Sequence, residues 1–396
     1  MSARDTDYEV IIVGAGLVGL ALSAALARAG LTVALVDRRR VATGEQPQTS
    51  EDWDARVYAI SPGSASFLRT LGAWQRVPCE RIAAIEAMEV YGDAGGSIEF
   101  SAYRMGERAL AWIVENRELN AALVEAVRTT PGVDVLAPCS ASALAWRADA
   151  VELRLDSAES ISAQLVVGAD GVRSWVREQA GMTTNPRPYA QAAIVANFAT
   201  ERAHHGRAYQ WFLEREGVLA WLPLPGRRMS IVWSAPEALA AELLATDPMA
   251  LAQRVASAGR GTLGALEPIT PAATFPLTFL KLPQVTLPRL ALVGDAAHGV
   301  HPLAGQGVNL GFGDAAALAS VLATRAVVGD AGSAFLLARY ARRRAAPVLA
   351  MQVVTDGLVR LFGASAPGVK ALRNRGMRAV DALGLLKRLL AQPALR

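Results

Sequence analysis

A glycine-rich turn near the start of the chain is the first place where residue types and spacing favour chemistry. Residues 14 to 19 form a GxGxxG motif after an apolar run at 10–13: Gly14, Ala15, Gly16, Leu17, Val18 and Gly19. Such a turn brings backbone close to a pyrophosphate, which then lies at the positive end of the following helix. Asp37 lies 18 residues after Gly19 at the end of the next apolar run, and Arg38 follows it. A carboxylate there suits a ribose hydroxyl, so the segment predicts dinucleotide binding rather than a tight turn in a plain α/β domain.

Two later segments also place glycine and aspartate directly after an apolar run. Residues 167–174 read VGADGVRS and contain Asp170, and residues 292–298 read LVGDAAH and contain Gly294 and Asp295. A third segment, residues 301–311, reads HPLAGQGVNLG, is followed by Asp314, and contributes five candidate binding residues: Pro302, Gly305, Gly307, Val308 and Asn309. Its glycines allow a flat ring to pack against bare backbone. The amides of residues 307–309 open a predicted helix and can stabilise negative charge.

In this order the segments resemble the fingerprints of the para-hydroxybenzoate-hydroxylase-like flavoprotein monooxygenases. Residues 301–311 closely resemble the signature of the ubiquinone-biosynthesis branch of these aromatic hydroxylases, and the resemblance covers essentially the whole chain. It implies that Asp295 binds the ribityl chain of FAD and that the segment around Asp170 supports the cofactor near the nicotinamide path. It also implies that Arg56 lies near the flavin and that Arg117, or backbone beside it, touches the cofactor phosphates. Either arginine alone would more often be a surface residue.

The resemblance also implies the chemistry. The cofactor is non-covalent FAD, NAD(P)H or another reductant supplies electrons, and O₂ is the co-substrate, captured as a C4a-hydroperoxyflavin that hydroxylates an electron-rich phenol. The chain has no second GxGxxG in a βαβ unit of its own, so we predict no separate nicotinamide domain. His298 and His301 could each assist phenol deprotonation, but a histidine bonded to a loop carbonyl is the favoured alternative. No catalytic residue is assigned.

The substrate implied by the resemblance is a polyprenylated phenol or quinol of ubiquinone biosynthesis, and the implied partner is a ubiquinone-biosynthesis complex. A hydroxylase of a small soluble aromatic acid is the second interpretation, and an arginine facing the substrate carboxylate would favour it. A halogenase or prenyl-chain reductase is a third, although residues 221–223 do not supply the Trp-x-Trp-x-Ile signature of halogenases. The fourth is a flavin-holding scaffold of a biosynthetic complex.

Composition excludes several other classes of protein. The 40 Lys and Arg are scattered among 36 Asp and Glu, for a net charge of +4, so no nucleic-acid partner is predicted. Cys79 and Cys139 are 60 positions apart and form no CxxC motif, so neither a metal site nor a disulfide framework is indicated. The sequence shows no signal peptide and no run of about 18 apolar residues. We therefore expect a cytoplasmic protein, peripheral on the inner face of the membrane if it binds one.

The elements that must position these motifs form an α/β fold. Residues 9–37 read as strand, helix and strand with near-continuous Val, Ile and Leu, which is typical of parallel strands covered on both faces. Aromatic and β-branched runs at 209–213 and 229–233 predict antiparallel strands. We expect a Rossmann-like FAD-binding domain (1–70, 105–180 and 275–340), an inserted mixed-sheet substrate domain (71–104 and 181–274) and a helical C-terminal segment (341–396).

The C-terminal segment carries a basic amphipathic pattern. Apolar residues recur at positions 369, 372, 380, 383, 386 and 390, and six lysines and arginines lie among them at 370, 373, 375, 378, 387 and 388. Such a pattern fits an interfacial helix on a membrane, or a helix packed on the protein with a solvated basic face. The implied prenylated substrate favours membrane contact.

Overall fold

The structure is a computed structural model that describes residues 6–41, 52–184, 186–325, 329–364 and 367–382. Its strands are β1 (Tyr8–Val13), β2 (Val33–Val36), β3 (Val57–Ile60), β4 (Ile82–Ile85), β5 (Ala87–Tyr91), β6 (Ser97–Ser101), β7 (Ala111–Glu115), β8 (Val133–Leu136), β9 (Ala141–Trp146), β10 (Val151–Leu155), β11 (Ser160–Gly168), β12 (Arg187–Thr200), β13 (Arg207–Leu213), β14 (Gly217–Leu224), β15 (Arg228–Pro236), β16 (Leu266–Pro268), β17 (Ala273–Lys281), β18 (Thr286–Leu287), β19 (Leu290–Leu292) and β20 (His298–Gly299). Its helices are α1 (Leu17–Arg28), α2 (Pro62–Thr70), α3 (Ala102–Met105), α4 (Asn116–Arg128), α5 (Trp175–Gln179), α6 (Glu237–Ala245), α7 (Pro248–Ala258), α8 (Gly307–Leu322), α9 (Ala334–Gly363) and α10 (Pro367–Ala382).

The first sheet has the order β18-β19-β11-β1-β2-β8, with β9 and β10 added beyond β11. Strand β1 is parallel to both β11 and β2, so the chain leaves β1 toward one side and returns on the other. Both faces are buried: Val10, Ile12 and Leu35 pack with α1 and α8, while Ile11 and Val36 pack on the other face. The predicted βαβ unit is confirmed, and a crevice is expected where the strand order changes direction.

The second sheet has nine strands in the order β20-β17-β12-β15-β14-β13-β5-β6, with β16 beside β12. One face packs under α6 and α7 through buried aromatic side chains that include Trp211, Trp221 and Trp233. The opposite face points toward the first sheet. Most neighbours are antiparallel, but β13 and β5 are parallel, so the expected mixed sheet is confirmed. Strand β17 belongs to this sheet and extends it to Lys281, past residue 274, where we expected the substrate domain to end. The domain limits stay predictions.

A small sheet of β3, β7 and β4 lies between the two larger sheets. It is held by a buried ion pair of Arg81 with Glu115, whose Nη1 and Oε2 atoms are 3.1 Å apart. Burial raises the pKa of Glu115 against the opposing effect of the Asp54 amide and of the two arginines, Arg81 and Arg117. The small sheet therefore places residues 54–61 between the first and the second sheet.

Helices α9 and α10 confirm the predicted helical C-terminal segment. Helix α10 packs on β5 and β6 through its polar side: Arg373 forms a buried ion pair with Asp93, and Asn374 accepts hydrogen bonds from the amides of Ala94 and Gly96. The predicted basic face is therefore partly internal. The apolar and basic positions from 383 to 390 lie outside the described residues.

Candidate active site

The GxGxxG turn joins the end of β1 to the start of α1, and its glycines meet two different surroundings. Gly14 has a φ of +108°, and a Cβ there would lie 2.5 Å from the carbonyl oxygen of Ala169. The turn is therefore pressed against the end of β11. Gly16 faces open space, with no atom within 4 Å of a Cβ built on it. The first glycine serves the fold, and the second leaves backbone accessible to a ligand.

A cavity of about 260 Å³ opens beside this turn, between the end of β2 and helix α4. It is lined by Ala15, Asp37, Arg39, Arg40, Val41, Asn116, Asn120 and Val124. Asp37 accepts hydrogen bonds from the amides of Ala15 and Arg39, both at 2.7 Å, which hold its carboxylate at the cavity wall. Carboxylate, amide and guanidinium groups around a small cavity suit the hydroxyl and phosphate groups of a dinucleotide.

Two helices begin beside each other at this crevice. Helices α1 and α8 pack closely because Gly311 has no side chain: a Cβ there would lie 2.5 Å from Cγ2 of Val18. Helix α1 starts at Leu17 and α8 at Gly307. The first-turn amides of a helix have no acceptor within it. The amides of Leu17 and Val18 and those of residues 307–309 therefore offer two positively polarised helix ends to one anionic ligand.

The loop before α8, residues 301–306, is tied to β3. Gly305 has a φ of +63° and lies against Ala59, 3.1 Å from a built Cβ to the Ala59 Cβ. The side chain of Asn309 donates to the carbonyl of Ala59 at 2.8 Å and accepts from the amide of Ser61 at 3.0 Å. Asn309 thus acts on the protein with its side chain, which leaves its helical amide for a ligand.

Arg56, Tyr58 and Asp295 surround the middle of the crevice. The guanidinium carbon of Arg56 lies 5.3 Å from the ring centres of both Tyr58 and Phe275. The side chain of Asp295 is exposed, yet burial by surrounding protein raises its pKa against the opposing charges of His298 and Arg56. A carboxylate that reaches solvent while protein lies around it occupies a concave surface. Burial also raises the pKa of Tyr58 to about 12, so its phenol stays neutral.

Asp170 follows β11 on the other side of the Gly14 turn. Its Oδ2 accepts from the amide of Val176 at 3.0 Å, which caps the short helix α5. Its Oδ1 is buried and has no hydrogen-bond partner among the residues that the structure describes. A buried acceptor of this kind is costly unless another group binds it, so it suits a bound cofactor.

A buried network lies beneath the start of α8. Asp314 Oδ2 contacts Nε2 of His298 at 2.6 Å and accepts from the amide of Gly294 at 2.9 Å, while Oδ1 accepts from Nε of Arg344 at 2.6 Å. Burial opposes charge on His298, but the charge and hydrogen bond of Asp314 outweigh it and raise the histidine pKa. The same partners hold the pKa of Asp314 below its usual value in spite of burial. This network positions the Gly294 turn.

His301 is fully buried and connects the 301–306 loop to the second sheet. Its Nε2 lies 3.0 Å from Oε1 of Gln191 on β12, and its Nδ1 accepts from the amide of Leu303 at 3.3 Å. Burial lowers its pKa to about 4, so the ring is neutral near pH 7. His298 is bound to the side chain of Asp314, and His301 is bound to the side chain of Gln191 and the amide of Leu303. We expected a loop carbonyl as the partner of these histidines, and that expectation is wrong.

The face of the second sheet that points to the 301–306 loop is largely apolar. Ala208 on β13 packs in a cluster with Ala59, and Phe212, four residues later on the same face, packs in a cluster with Leu303. Gln210 lies between them and is only 6% exposed. It pairs laterally with Val90 and Ala220, so it places one amide in an apolar wall.

The predicted binding residues converge on one crevice with two qualifications. Arg38 is exposed and does not line the cavity, whereas its neighbours Arg39 and Arg40 do. The guanidinium of Arg117 donates to the Asp52 carbonyl at 2.7 Å, and Asn116 next to it lines the cavity instead. Cofactor contacts by either predicted arginine, and by the other predicted residues, stay predictions.

Sequence reasoning found Asp37 but missed the other four polar residues of the cavity wall: Arg39, Arg40, Asn116 and Asn120. The last two are spaced by four on α4, so they share one helix face, and that spacing was the available signal. Gln210 had no local signal, because glutamine in a strand is not part of a motif.

These features fit FAD. The crevice offers an adenosine-sized polar cavity, a glycine turn with open backbone, two helix N-termini and a concave carboxylate at Asp295, in the order that an extended dinucleotide needs.

Comparison with known proteins agrees with the crevice. Residues 7–355 match the family described as FAD binding domain. The chain is 38% identical to the ubiquinone hydroxylase UbiL of Rhodospirillum rubrum, over 99% of this chain and 90% of that protein. It is 36% identical to the 3-demethoxyubiquinol 3-hydroxylase of Escherichia coli, over 96% of both. The crystal structure of PqsL from Pseudomonas aeruginosa has the same fold, with a TM-score of 0.77 at 24% identity over 93% of this chain and 99% of PqsL. The expected fold class and the expected FAD cofactor are confirmed. With a family match over most of its length, this chain belongs to the FAD binding domain family, and it is an FAD-dependent monooxygenase.

Proposed function

We propose that this enzyme hydroxylates the aromatic ring of a polyprenylated phenol or quinol in ubiquinone biosynthesis. The observation that carries the proposal is the apolar wall around Gln210, which adjoins a second apolar cluster. That cluster joins Phe212 and Val218 of the sheet to Leu303 of the loop, with Leu358 and Phe362 of α9 packed against it. A ring held at Gln210 with its tail along this cluster would stay in apolar surroundings. The names of the two relatives, a ubiquinone hydroxylase and a 3-demethoxyubiquinol 3-hydroxylase, support the same substrate class.

The alternative substrate, a small aromatic acid, needs a cation opposite its carboxylate. The central row of the wall is Val90, Gln210, Ala220, Val232 and Val195, as paired across the strands, and it contains no cation. The nearest arginine on this face of β15, Arg228, stacks 5.3 Å from the ring of Trp53 and donates to the carbonyl of Pro225. Arg56 lies over Phe275, which pairs with Ala193 on the same face of the sheet, so a carboxylate at the central row would depend on an arginine already stacked on Tyr58 and Phe275.

When bound, FAD supplies the redox chemistry that takes electrons from NAD(P)H and activates O₂. The protein's own residues hold and shield the reactants. The apolar wall excludes water from the ring, and the amide of Gln210 orients a ring oxygen by a hydrogen bond. Both nitrogens of His301 are used by Leu303 and Gln191, and His298 is bound to Asp314, so neither histidine serves as the base that accepts the phenol proton.

The proposal extends to where the enzyme works. A polyprenyl tail partitions into lipid, so the substrate is met at a bilayer, with the enzyme peripheral on the inner face of the membrane. Membership of a ubiquinone-biosynthesis complex belongs to the same proposal and is supported only by the relatives' pathway.

The test is anaerobic reduction of the FAD-loaded protein by NADH or NADPH, with a short-chain prenylphenol, with para-hydroxybenzoate or with no aromatic compound. We expect the flavin absorbance to bleach faster only with the prenylphenol. After admission of ¹⁸O₂, mass spectrometry is expected to find one ¹⁸O atom in the product ring.

Each other outcome contradicts the proposal in a different way. Faster bleaching and ¹⁸O incorporation with para-hydroxybenzoate alone would move the substrate to a soluble aromatic acid. Bound FAD that is reduced by neither nicotinamide nor an artificial donor in the presence of phenol would leave a scaffold role.

A further inference from the structure

Helix α9 has two unlike faces in its second half. Met351, Gln352 and Thr355 are buried, and Gln352 donates to the carbonyl of Leu280 at 2.8 Å. The opposite face is apolar and exposed: Leu349 is 48% exposed, Val353 62% and Val354 49%. Isolated exposed apolar residues are common, but three on one helix face form a patch that calls for a partner.

Charge along the chain is segregated around this patch. Residues 334–396 contain 12 Lys and Arg against 2 Asp, whereas residues 1–333 contain 28 Lys and Arg against 34 Asp and Glu. Within α9 residues 345 to 355, which include these exposed apolar residues, contain no charged residue. Exposed arginines bracket it, Arg342 and Arg343 before it and Arg360 after it. Asp356 is the acid of this helix, and it is paired with Arg187 at 2.6 Å and with Arg360 at 2.9 Å.

Helix α10, which contacts α9, also carries exposed apolar and basic residues. Its inner side is occupied by Arg373 and Asn374, as described above, but Leu372 is 70% exposed, and Arg375 and Arg378 are exposed beside it. We call the exposed residues Leu349, Val353, Val354 and Leu372, with Arg342, Arg343, Arg360, Arg375 and Arg378, the α9–α10 surface. Apolar side chains bracketed by arginines are typical of helices that lie in the headgroup region of an anionic bilayer.

The geometry decides between lying on a membrane and crossing one. Helix α9 is the one helix in the described part of the chain that is long and apolar enough to cross. Its inner face, however, is committed to the protein through Met351, Gln352 and Thr355, and its N-terminal half binds the site through Arg344 and Tyr340. A helix packed along one whole side cannot be surrounded by lipid, so only its outer face is available.

We propose that the α9–α10 surface docks the enzyme on an anionic phospholipid bilayer, with α9 parallel to the membrane plane. The reason for such docking rests on the proposed function, namely delivery of a prenylated substrate. Leu358, Val359 and Phe362 on the inner side of α9 pack against the apolar cluster that contains Leu303. A prenyl tail that enters along this helix would reach the 301–306 loop along these apolar side chains. The surface therefore joins the lipid phase to the substrate wall.

The experiment is co-sedimentation of the FAD-loaded protein with vesicles of phosphatidylcholine alone or with phosphatidylglycerol, without substrate. The test variant is V353E/V354E, and L244E is the matched control because Leu244 is 42% exposed on α6, away from this surface. We expect V353E/V354E to lose about tenfold or more in binding to anionic vesicles and L244E to bind as wild type. R342E/R375E should weaken binding to anionic vesicles specifically, and added salt should do the same.

Several results would overturn the proposal. One is wild-type vesicle binding by V353E/V354E, and another is equal binding of the wild type to neutral and anionic vesicles. A third is a wild-type dimer that becomes monomeric in V353E/V354E with vesicle binding unchanged. The α9–α10 surface would then bind a second copy of this chain. Turnover of a soluble short-chain prenylphenol, measured separately, reports the proposed function: docking without turnover would refute that function and leave the surface standing.

Discussion

The cofactor crevice and the substrate wall are built in different ways. In the crevice, the ligand site is formed mainly by backbone: the turn at Gly14 to Gly19 and the first amides of α1 and α8 face it. In the wall, side chains do it, and the row around Gln210 comes from five strands between residues 87 and 236.

This difference has a physical origin. FAD always carries the same charged pyrophosphate, and backbone amides at helix ends bind phosphate whatever side chains surround them. An apolar substrate offers few polar handles, so its position depends on the shape of a packed surface and on one or two hydrogen bonds. Function can therefore diverge at the wall while the crevice stays the same.

The largest expected effect separates two glycines of the same turn. Gly14→Ala places a Cβ 2.5 Å from the Ala169 oxygen at a φ of +108°, so we expect the free energy of unfolding of the apoprotein to fall by about 3 kcal/mol or more. Gly16→Ala should leave the apoprotein as stable as wild type and weaken FAD binding by about 100-fold, because its methyl group occupies the space for the pyrophosphate. Urea unfolding and fluorescence titration with FAD measure the two effects. Wild-type FAD affinity in Gly16→Ala would break the comparison by moving the pyrophosphate elsewhere.

The next effect concerns His301, which joins the two regions. Its pKa is lowered from 6.5 to about 4 in the folded protein, so the unfolded chain binds the proton more readily. Stability from this group is complete above pH 6.5 and is lost as pH falls toward 4, by about 3 kcal/mol. We expect His301→Gln to remove this part of the acid destabilisation, measured by urea unfolding across that pH range.

His298 serves as a control, because its contribution to stability changes with pH in the opposite direction. Its pKa is raised by Asp314, so its contribution is complete below pH 6.5 and is lost as pH rises through the raised value. His298→Gln should therefore flatten the alkaline side of the stability profile and leave the acid side unchanged. Identical profiles for the two variants would contradict the assignment of separate roles.

The smallest effect tests the wall alone. Gln210→Leu keeps the approximate size of the side chain and removes its amide, so we expect unchanged FAD affinity and nearly unchanged stability. The loss of one hydrogen bond to the substrate should raise KM for the prenylphenol about tenfold. Steady-state kinetics and FAD titration of the same preparation measure both. A variant that loses FAD rather than substrate affinity would place Gln210 on the cofactor side.

The sequence by itself determined the parallel sheet, the FAD motifs and the helical end of the chain. Gly14 to Gly19, Asp37, residues 292–298 and residues 301–311 are contiguous segments in which each residue's task follows from its neighbours along the chain. Glycine spacing and apolar runs report such local geometry directly, and these segments lie together in the structure as predicted.

Only the tertiary structure decided the rest. It engaged Arg117 with Asp52, turned Asn116 and Asn120 toward the cavity, paired His301 with Gln191 over 110 positions, and placed Gln210 in the apolar wall. It also turned part of the basic C-terminal pattern inward and left the apolar face of α9 outside. The physical reason is that a side chain's partner across the fold depends on strand order, register and helix packing, which local residue spacing does not specify.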